Sequence, residues 1–250
     1  MENENYFTRS RSLLGEDRFV KLQNMRFCVI GLGGVGGSSF EALVRSGAKH
    51  IVGIDFDKVA PSNLNRQILF TRYDIGKYKA DCAFARAKAI NEEVDVETLR
   101  IKINEENLSF LDHYEFDYVI DAIDDISAKV LLIKYLQKRN IPFISSLGMG
   151  NRIDCSNIEI TKINKTHDDP LARKLRYLLK KEEVDLSQVD VIFSSSKVEQ
   201  TDVNFVSSIM PSPSCAGLSA VAYIIKKLYY CNDRFLCYGS RSRIIIYLSC

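Results

Sequence analysis

The stretch "RFCVIGLGGVGGSSFEALVRSGA", residues 26–48, restricts the fold of this chain more than any other segment. An unbroken apolar run of strand character leads into glycines, and these lead into apolar residues at helical spacing that stop at Gly47. Gly31, Gly33 and Gly36 satisfy G-x-G-x-x-G at that junction. There the pattern has a physical reason: a tight turn, close approach of backbone to phosphate, and the positive potential of a helix N-terminus. Alone it indicates an adenine nucleotide, most often a dinucleotide, against the competing reading of a structural turn with no ligand. Gly34 and Gly37 make the turn more open than a dinucleotide requires.

The same alternation continues downstream. "HIVGIDFD" reads as a strand, "KYKADCAFARAKAINE" as a helix, "VDVETLRIKI" and "FDYVIDAID" as strands, "SAKVLLIKYLQKRN" as a helix and "IPFISSLG" as a strand. Strand and helix alternating without hairpin signals predict a Rossmann-like α/β fold, a doubly wound, mainly parallel sheet. After about residue 150 the pattern loosens into a C-terminal α+β elaboration. It holds a strand "NIEITKI", a helix "DPLARKLRYLLKK", a polar stretch, a helix "AGLSAVAYIIKKLYY" and a short tail strand "SRIIIYL".

Composition narrows the class. The net charge of +2 demands neither nucleic acid nor an anionic membrane, so any RNA contact must come from a local patch. Seven cysteines, an odd number with no Cys-x-x-Cys, fit reduced cytosolic thiols rather than a disulfide framework or a zinc ribbon. The polar start "MENENYFTRSRS" predicts no signal peptide. The uncharged run 203–225 contains Pro211 and Pro213 and reads as a loop entering a buried helix, not a membrane span. A soluble cytoplasmic protein is expected.

Asp55 ends the second strand, where a carboxylate grips a ribose hydroxyl. The residues after it, "DFDKVAPSNLNRQ", have no evident use in a dehydrogenase. Arg66 lies in a polar loop with Ser62, Asn63, Asn65 and Gln67, and such a set of donors beside a glycine turn suits a triphosphate better than a nicotinamide. Lys79 opens the next helix and adds a second cation. Asp124 ends the fourth strand at the carboxyl edge, placed to share Mg²⁺ with a polyphosphate. Both residues are expected at the sheet edge rather than in the core.

Together, "GLGGVGG", "DFDKVAPSNLNRQ", Lys79 and "DAIDD" resemble the adenylation domain of the ubiquitin-activating-type superfamily (the ThiF/MoeB/HesA-like enzymes), whose bacterial members activate carboxyl groups with ATP. "RSRSLLGEDRFVKLQN", "KINKTHDDPLARKLR" and "SPSCAGLSAVAYIIKKL" are similar to the tRNA threonylcarbamoyladenosine dehydratases within it. Lys197, in "FSSSKVEQ", departs from that family's usual glutamate. The resemblance implies adenylation of the threonyl carboxylate of the modified adenosine beside the anticodon, then ring closure with loss of AMP. It also implies roles for the residues. Gly31, Gly33, Gly34 and Gly36 lie against the phosphates, and Asp55 binds ribose. Ser62, Asn63, Asn65 and Gln67 contact ATP, Arg66 and Lys79 neutralise its phosphates, and Asp124 holds Mg²⁺. Arg9 reaches into a partner subunit's site, which makes the unit a homodimer, and a sulfur-relay or acceptor protein is a further partner to consider. The expected organisation is a helical arm over 1–24, an ATP-binding core over 25–150 and an elaboration over 151–250.

Two other functional classes compete. An enzyme adenylating a small ubiquitin-like sulfur carrier commonly has paired Cys-x-x-Cys zinc sites and a transfer cysteine, and neither pattern is evident here. A non-catalytic nucleotide-binding subunit has no need of the Arg66, Lys79 and Asp124 set. On the "DPLARKLRYLLKK" helix, Arg173, Lys174, Arg176, Lys180 and Lys181 gather opposite a leucine face. That face reads either as a grip on tRNA phosphates or as an ordinary solvated surface. "SSSK" at 194–197 lacks the companion motifs of a serine nucleophile. His50, His113 and His167 are dispersed, and His167 reads as a loop histidine. Cys215, ahead of an apolar helix, reads as a structural thiol, although a helix N-terminus could lower its pKa.

Overall fold

Strand β1 (Arg26–Ile30) alternates strictly between two cores. Phe27 and Val29 join one apolar cluster, and Cys28 and Ile30 join the other. A strand covered on both faces belongs inside a parallel sheet, and β1 pairs in parallel with β2 (His50–Ile54) on one side and β4 (Tyr118–Asp121) on the other. The computed structural model describes residues 5–230 and places seven strands in one sheet, in the order β3-β2-β1-β4-β5-β7-β6. β3 is Asp95–Leu99 and β5 is Phe143–Ser146. The order runs away from β1 in both directions, so the connections after β1 and β4 leave on opposite sides. Such a switch point opens a crevice at the carboxyl ends of the two strands.

Helices α1 (Thr8–Leu14), α2 (Glu16–Asn24), α3 (Gly34–Ser46), α4 (Lys79–Ile90) and α7 (Pro211–Tyr230) cover one face of the sheet. Helices α5 (Ile126–Lys138) and α6 (Pro170–Lys181) cover the other. The tightest helix pair is α3 with α7. A Cβ added at Gly217 would stand 2.3 Å from the Val35 carbonyl oxygen, so only glycine admits this approach. Across it, the Ser39 hydroxyl donates to the Gly217 carbonyl at 3.0 Å and the Ser38 and Ser214 hydroxyls meet at 3.1 Å.

The late part of the chain differs from the sequence reading in one element. Residues in the stretch taken as polar form β7 (Asp190–Ser194), buried throughout and parallel to β5. Its apolar run, Val191 to Phe193, is too short for periodicity to separate from a loop. β7 takes the position beside β5, and "NIEITKI" supplies β6 (Ile158–Lys162) as an antiparallel edge strand. The helices also begin earlier than their apolar spacing suggests, α3 at Gly34 and α7 at Pro211. The expected tail strand "SRIIIYL" lies outside the described residues. No described helix is long and apolar enough to cross a membrane.

Candidate active site

The glycine turn fills the crevice between β1 and β4. Gly31 donates its N–H to the Ile54 carbonyl at 2.8 Å, and Ala122 donates to Ile30 at the same distance. Gly31 adopts φ +88°, and a Cβ there would stand 2.6 Å from the Ala122 carbonyl oxygen. Gly36 packs so closely under Gly31 that a Cβ would overlap its carbonyl oxygen. Gly33 is the N-cap of α3, Gly34 its first residue, and no side chain caps the helix. The first-turn N–H groups and the helix dipole therefore face the crevice without a side-chain acceptor, which is what an anionic phosphate requires.

Asp55 stands beside the turn at the end of β2. Its Oδ2 accepts the Leu32 N–H at 2.7 Å and its Oδ1 accepts the Asp57 N–H at 2.8 Å. Burial pushes this carboxyl above its ordinary pKa, and the Lys79 ammonium opposes the shift. Lys79 is not the edge cation expected: only 6% of it is exposed. The reason is local. Its N–H bonds the Asp57 carbonyl at 2.9 Å, and this holds the start of α4 under the chain that follows β2. Its Nζ then lies 2.9 Å from Asp57 Oδ2 and 3.9 Å from Asp55 Oδ2. Asp57, inside the quoted motif but not singled out there, is thus part of the site.

The loop after β2 folds over the turn. A short 3-10 turn at Pro61–Asn63 is closed by Asn63 Oδ1, which accepts the Ala60 N–H at 2.9 Å. Half-buried Arg66 donates to the Ser62 carbonyl at 2.7 Å and to Asn65 Oδ1 at 3.0 Å. The Arg66 carbonyl lies beside Gly34, and Asn65 donates across to the Ser208 carbonyl at 2.8 Å. Ser62 is exposed. Gln67 is buried next to Gly33, and its Oε1 has no hydrogen-bond partner. An uncapped helix, a glycine cradle and an orphaned buried acceptor fit a nucleotide.

Asp124 stands exposed just past β4, with no hydrogen bond or ion pair among the described residues. No three acidic, histidine or cysteine groups converge as a metal site among those residues. One free carboxylate beside a phosphate cradle suits a cation shared with phosphate oxygens better than one in a protein cage. Sequence reasoning missed the group beneath it, Asp121, Lys129 and Ser145, all buried. A charge set in each of two apolar runs, "YVIDAI" and "SAKVLLI", was the available signal.

The remaining candidates are scattered. Arg9 is exposed on α1 without a partner among the described residues. Arg173, Lys174, Lys180 and Lys181 are exposed on α6. Arg176 is turned inward: its guanidinium donates to the Thr166 carbonyl at 3.0 Å and to the Thr166 hydroxyl, holding the preceding loop. His50 pairs with Asp95, His113 with the Phe110 carbonyl and His167 with Asp168, and no two of the three are brought together. Lys197 is exposed. Cys155 and Cys215 are half-buried neighbours, and burial together with Cys155 raises the Cys215 pKa. Cys215 is the fifth residue of α7 rather than a residue ahead of it.

The chain matches the ThiF family over residues 7–238. It is 36% identical over 230 residues to the tRNA threonylcarbamoyladenosine dehydratase of Bacillus subtilis, covering 88% of this chain and 90% of that protein. The E. coli tRNA N6-threonylcarbamoyladenosine dehydratase, solved with AMP, superposes with a TM-score of 0.86 at 33% identity, over 90% of this chain and 94% of that one. The same enzyme solved with ATP gives 0.85. The sulfur carrier protein ThiS adenylyltransferase of Bacillus subtilis, 35% identical, matches 52% of this chain and 39% of its own length. The family match over residues 7–238 and the near full-length identity to the Bacillus subtilis enzyme place this chain in the ThiF family, among its tRNA threonylcarbamoyladenosine dehydratases.

Proposed function

We propose that this protein is an ATP-dependent tRNA threonylcarbamoyladenosine dehydratase, cytoplasmic and acting as a homodimer. The observation that carries the reading is the uncapped α3 N-terminus beside the 62–67 loop and Asp55, with Asp124 exposed just past β4, in a chain that matches dehydratases along nearly its full length. The chemistry follows from the charges. A threonyl carboxylate oxygen attacks the α-phosphorus of ATP, the bond to the β-phosphate oxygen breaks, and pyrophosphate leaves. The substrate's own carbamoyl group then attacks the activated carboxyl and expels AMP, so the product is lighter by one water.

Both partners of the first step are anionic, and electrostatic stabilisation is the main requirement. The α3 N-terminus and Arg66 bind the phosphates. Asp55, already oriented by two N–H donors, accepts from the ribose. Lys79 favours the ionised form of Asp55 and adds positive potential. Asp124 and the phosphates would hold Mg²⁺, which supplies charge neutralisation at the leaving group. Ring closure within the substrate needs no enzyme nucleophile, because proximity supplies the rate advantage. The half-buried Cys215, whose thiol pKa is raised by burial and by Cys155, agrees with that. Arg9 completes the partner's site, and the exposed cations of α6 bind tRNA phosphates.

The runner-up, adenylation of a sulfur-carrier protein, is disfavoured by the absence of Cys-x-x-Cys and by the half-length match to such an enzyme. A sulfur-relay or acceptor protein is not required by the chemistry proposed. ATP–pyrophosphate exchange decides between the two. Threonylcarbamoyladenosine-containing tRNA should stimulate exchange, and unmodified tRNA or a free carrier protein should not. Equal stimulation by either control overturns the reading.

A further inference from the structure

The interior beneath Asp124 holds a charged pair where apolar side chains would serve packing better. Asp121 is 0% and Lys129 1% exposed, and Ser145 is fully buried. Lys129 Nζ lies 2.8 Å from Asp121 Oδ2 and 3.1 Å from Ser145 Oγ, and Ser145 donates to Asp121 Oδ2 at 2.6 Å. Taking two ions out of water opposes folding, and well-packed apolar replacements of such pairs are often neutral or stabilising. Stability alone is therefore a poor reason for this cluster. Direction is a better one.

Asp121 is the last residue of β4, and both of its oxygens are used. Oδ1 accepts the Ile123 N–H at 3.1 Å and closes a local turn. Oδ2 is held from β5 by Ser145 and from α5 by Lys129. One carboxylate thus references a strand end, its neighbour strand and the following helix to each other. The turn it closes carries Ala122, whose carbonyl is the wall against Gly31, and then Asp124. Asp125 follows and caps α5, accepting the Ala128 N–H at 2.8 Å, one residue before Lys129. The ring from Asp121 through the turn, the cap and Lys129 back to Asp121 is closed.

We infer that Asp121, Lys129 and Ser145 are positioning residues for adenylation, fixing the 121–125 turn so that Asp124 and the wall of the glycine turn hold their places. This rests on the adenylation reading above. None of the three touches the crevice, so their effect passes through the turn.

The test uses the full chain with Ser145→Ala, Lys129→Met, Lys129→Arg and the double variant Asp121→Leu/Lys129→Met. The readouts are melting temperature, amide hydrogen exchange of the 122–126 segment, and kcat and KM in pyrophosphate exchange. Ser145→Ala should fold normally, exchange the 122–126 amides faster, and lose about tenfold in kcat with KM for tRNA unchanged, as expected for groups that orient a functional residue. Lys129→Arg should retain more activity than Lys129→Met. The apolar double variant should regain the melting temperature lost in Lys129→Met without regaining kcat. Recovery of both by the double variant makes the cluster a packing device and overturns the inference. So does Ser145→Ala with unchanged amide exchange and kcat, which keeps the test decisive if the lysine variants do not fold. A wild-type chain without pyrophosphate exchange instead overturns the adenylation reading, and the amide-exchange comparison then still reports on the turn.

Discussion

Replacing Lys79 by methionine should destabilise the chain by about 3 kcal/mol at neutral pH, and this loss should fade as the pH falls. Methionine keeps the apolar stem and removes the charge. At 3.9 Å from Asp55 Oδ2, the ammonium contributes roughly 4 kcal/mol of attraction for an effective dielectric near 20. The shorter contact to Asp57 adds less, under about 1 kcal/mol, because that carboxylate is 47% exposed and stays solvated. Relief of the lysine's own desolvation offsets one to two of these, roughly. The pH dependence follows from Asp55. Burial holds its folded pKa above the ordinary carboxylate value, so its contribution is fully present at low pH and is lost as the pH rises through the folded pKa. Without Lys79 that pKa moves further up and the loss grows. Wild type and variant should therefore differ least at acid pH, as the carboxyl becomes protonated in both, and most above neutrality. Urea titrations across the acid range and at neutral pH follow the change in the deficit. A deficit under about 1 kcal/mol at the higher pH, or the same deficit at both, refutes the argument, because the loss would then be packing and not charge.

Asp124→Asn should leave the melting temperature unchanged and lower pyrophosphate exchange by about a hundredfold or more, in line with removal of one charge-stabilising group. Near-normal exchange sinks the role of Asp124. Mixing Arg9→Ala chains with Asp124→Ala chains should restore activity through hybrid dimers with one intact site, and failure to do so after confirmed subunit exchange removes Arg9 from the partner's site. Neutralising Arg173, Lys174 and Lys180 together should weaken tRNA binding and flatten its salt dependence. Arg176→Ala should instead lower the melting temperature, since Arg176 holds Thr166 rather than facing solvent. Cys155→Ser with Cys215→Ser should keep dehydratase turnover, and loss of turnover would point to a covalent thioester route.

Where the sequence could be read, it was through local rules. Glycines between a strand and a helix need only their neighbours to be interpreted, Asp55 and Asp124 follow strands that periodicity defines, and Arg66 stands out in a polar loop by its charge. β7 escaped because three apolar residues between an aspartate and a run of serines carry no period, and only the sheet decides that they pair beside β5. Lys79 was assigned its charge correctly but not its surroundings, since burial between Asp55 and Asp57 depends on how α4 docks. Arg176 looked like its neighbours on a helical wheel, yet the loop at Thr166 claims it. Asp121 and Lys129 lie eight positions apart across a strand, a turn and a helix, a separation that no sequence period links.

The contact between α3 and α7 also sets an order of events for a chain made from its N-terminus. The helix that starts at the glycine turn is finished by a glycine 178 positions after Ser39. At ribosomal rates of about 5–20 residues per second, that partner arrives roughly 10 to 35 s later. Until then the nascent chain can align β1 to β5, but the small-residue face of α3 stays uncovered. A product ending before residue 211 would hold every side chain proposed here to bind the nucleotide, yet lack the helix that packs against α3. The phosphate turn is thus among the first segments to be made and one of the last to be completed.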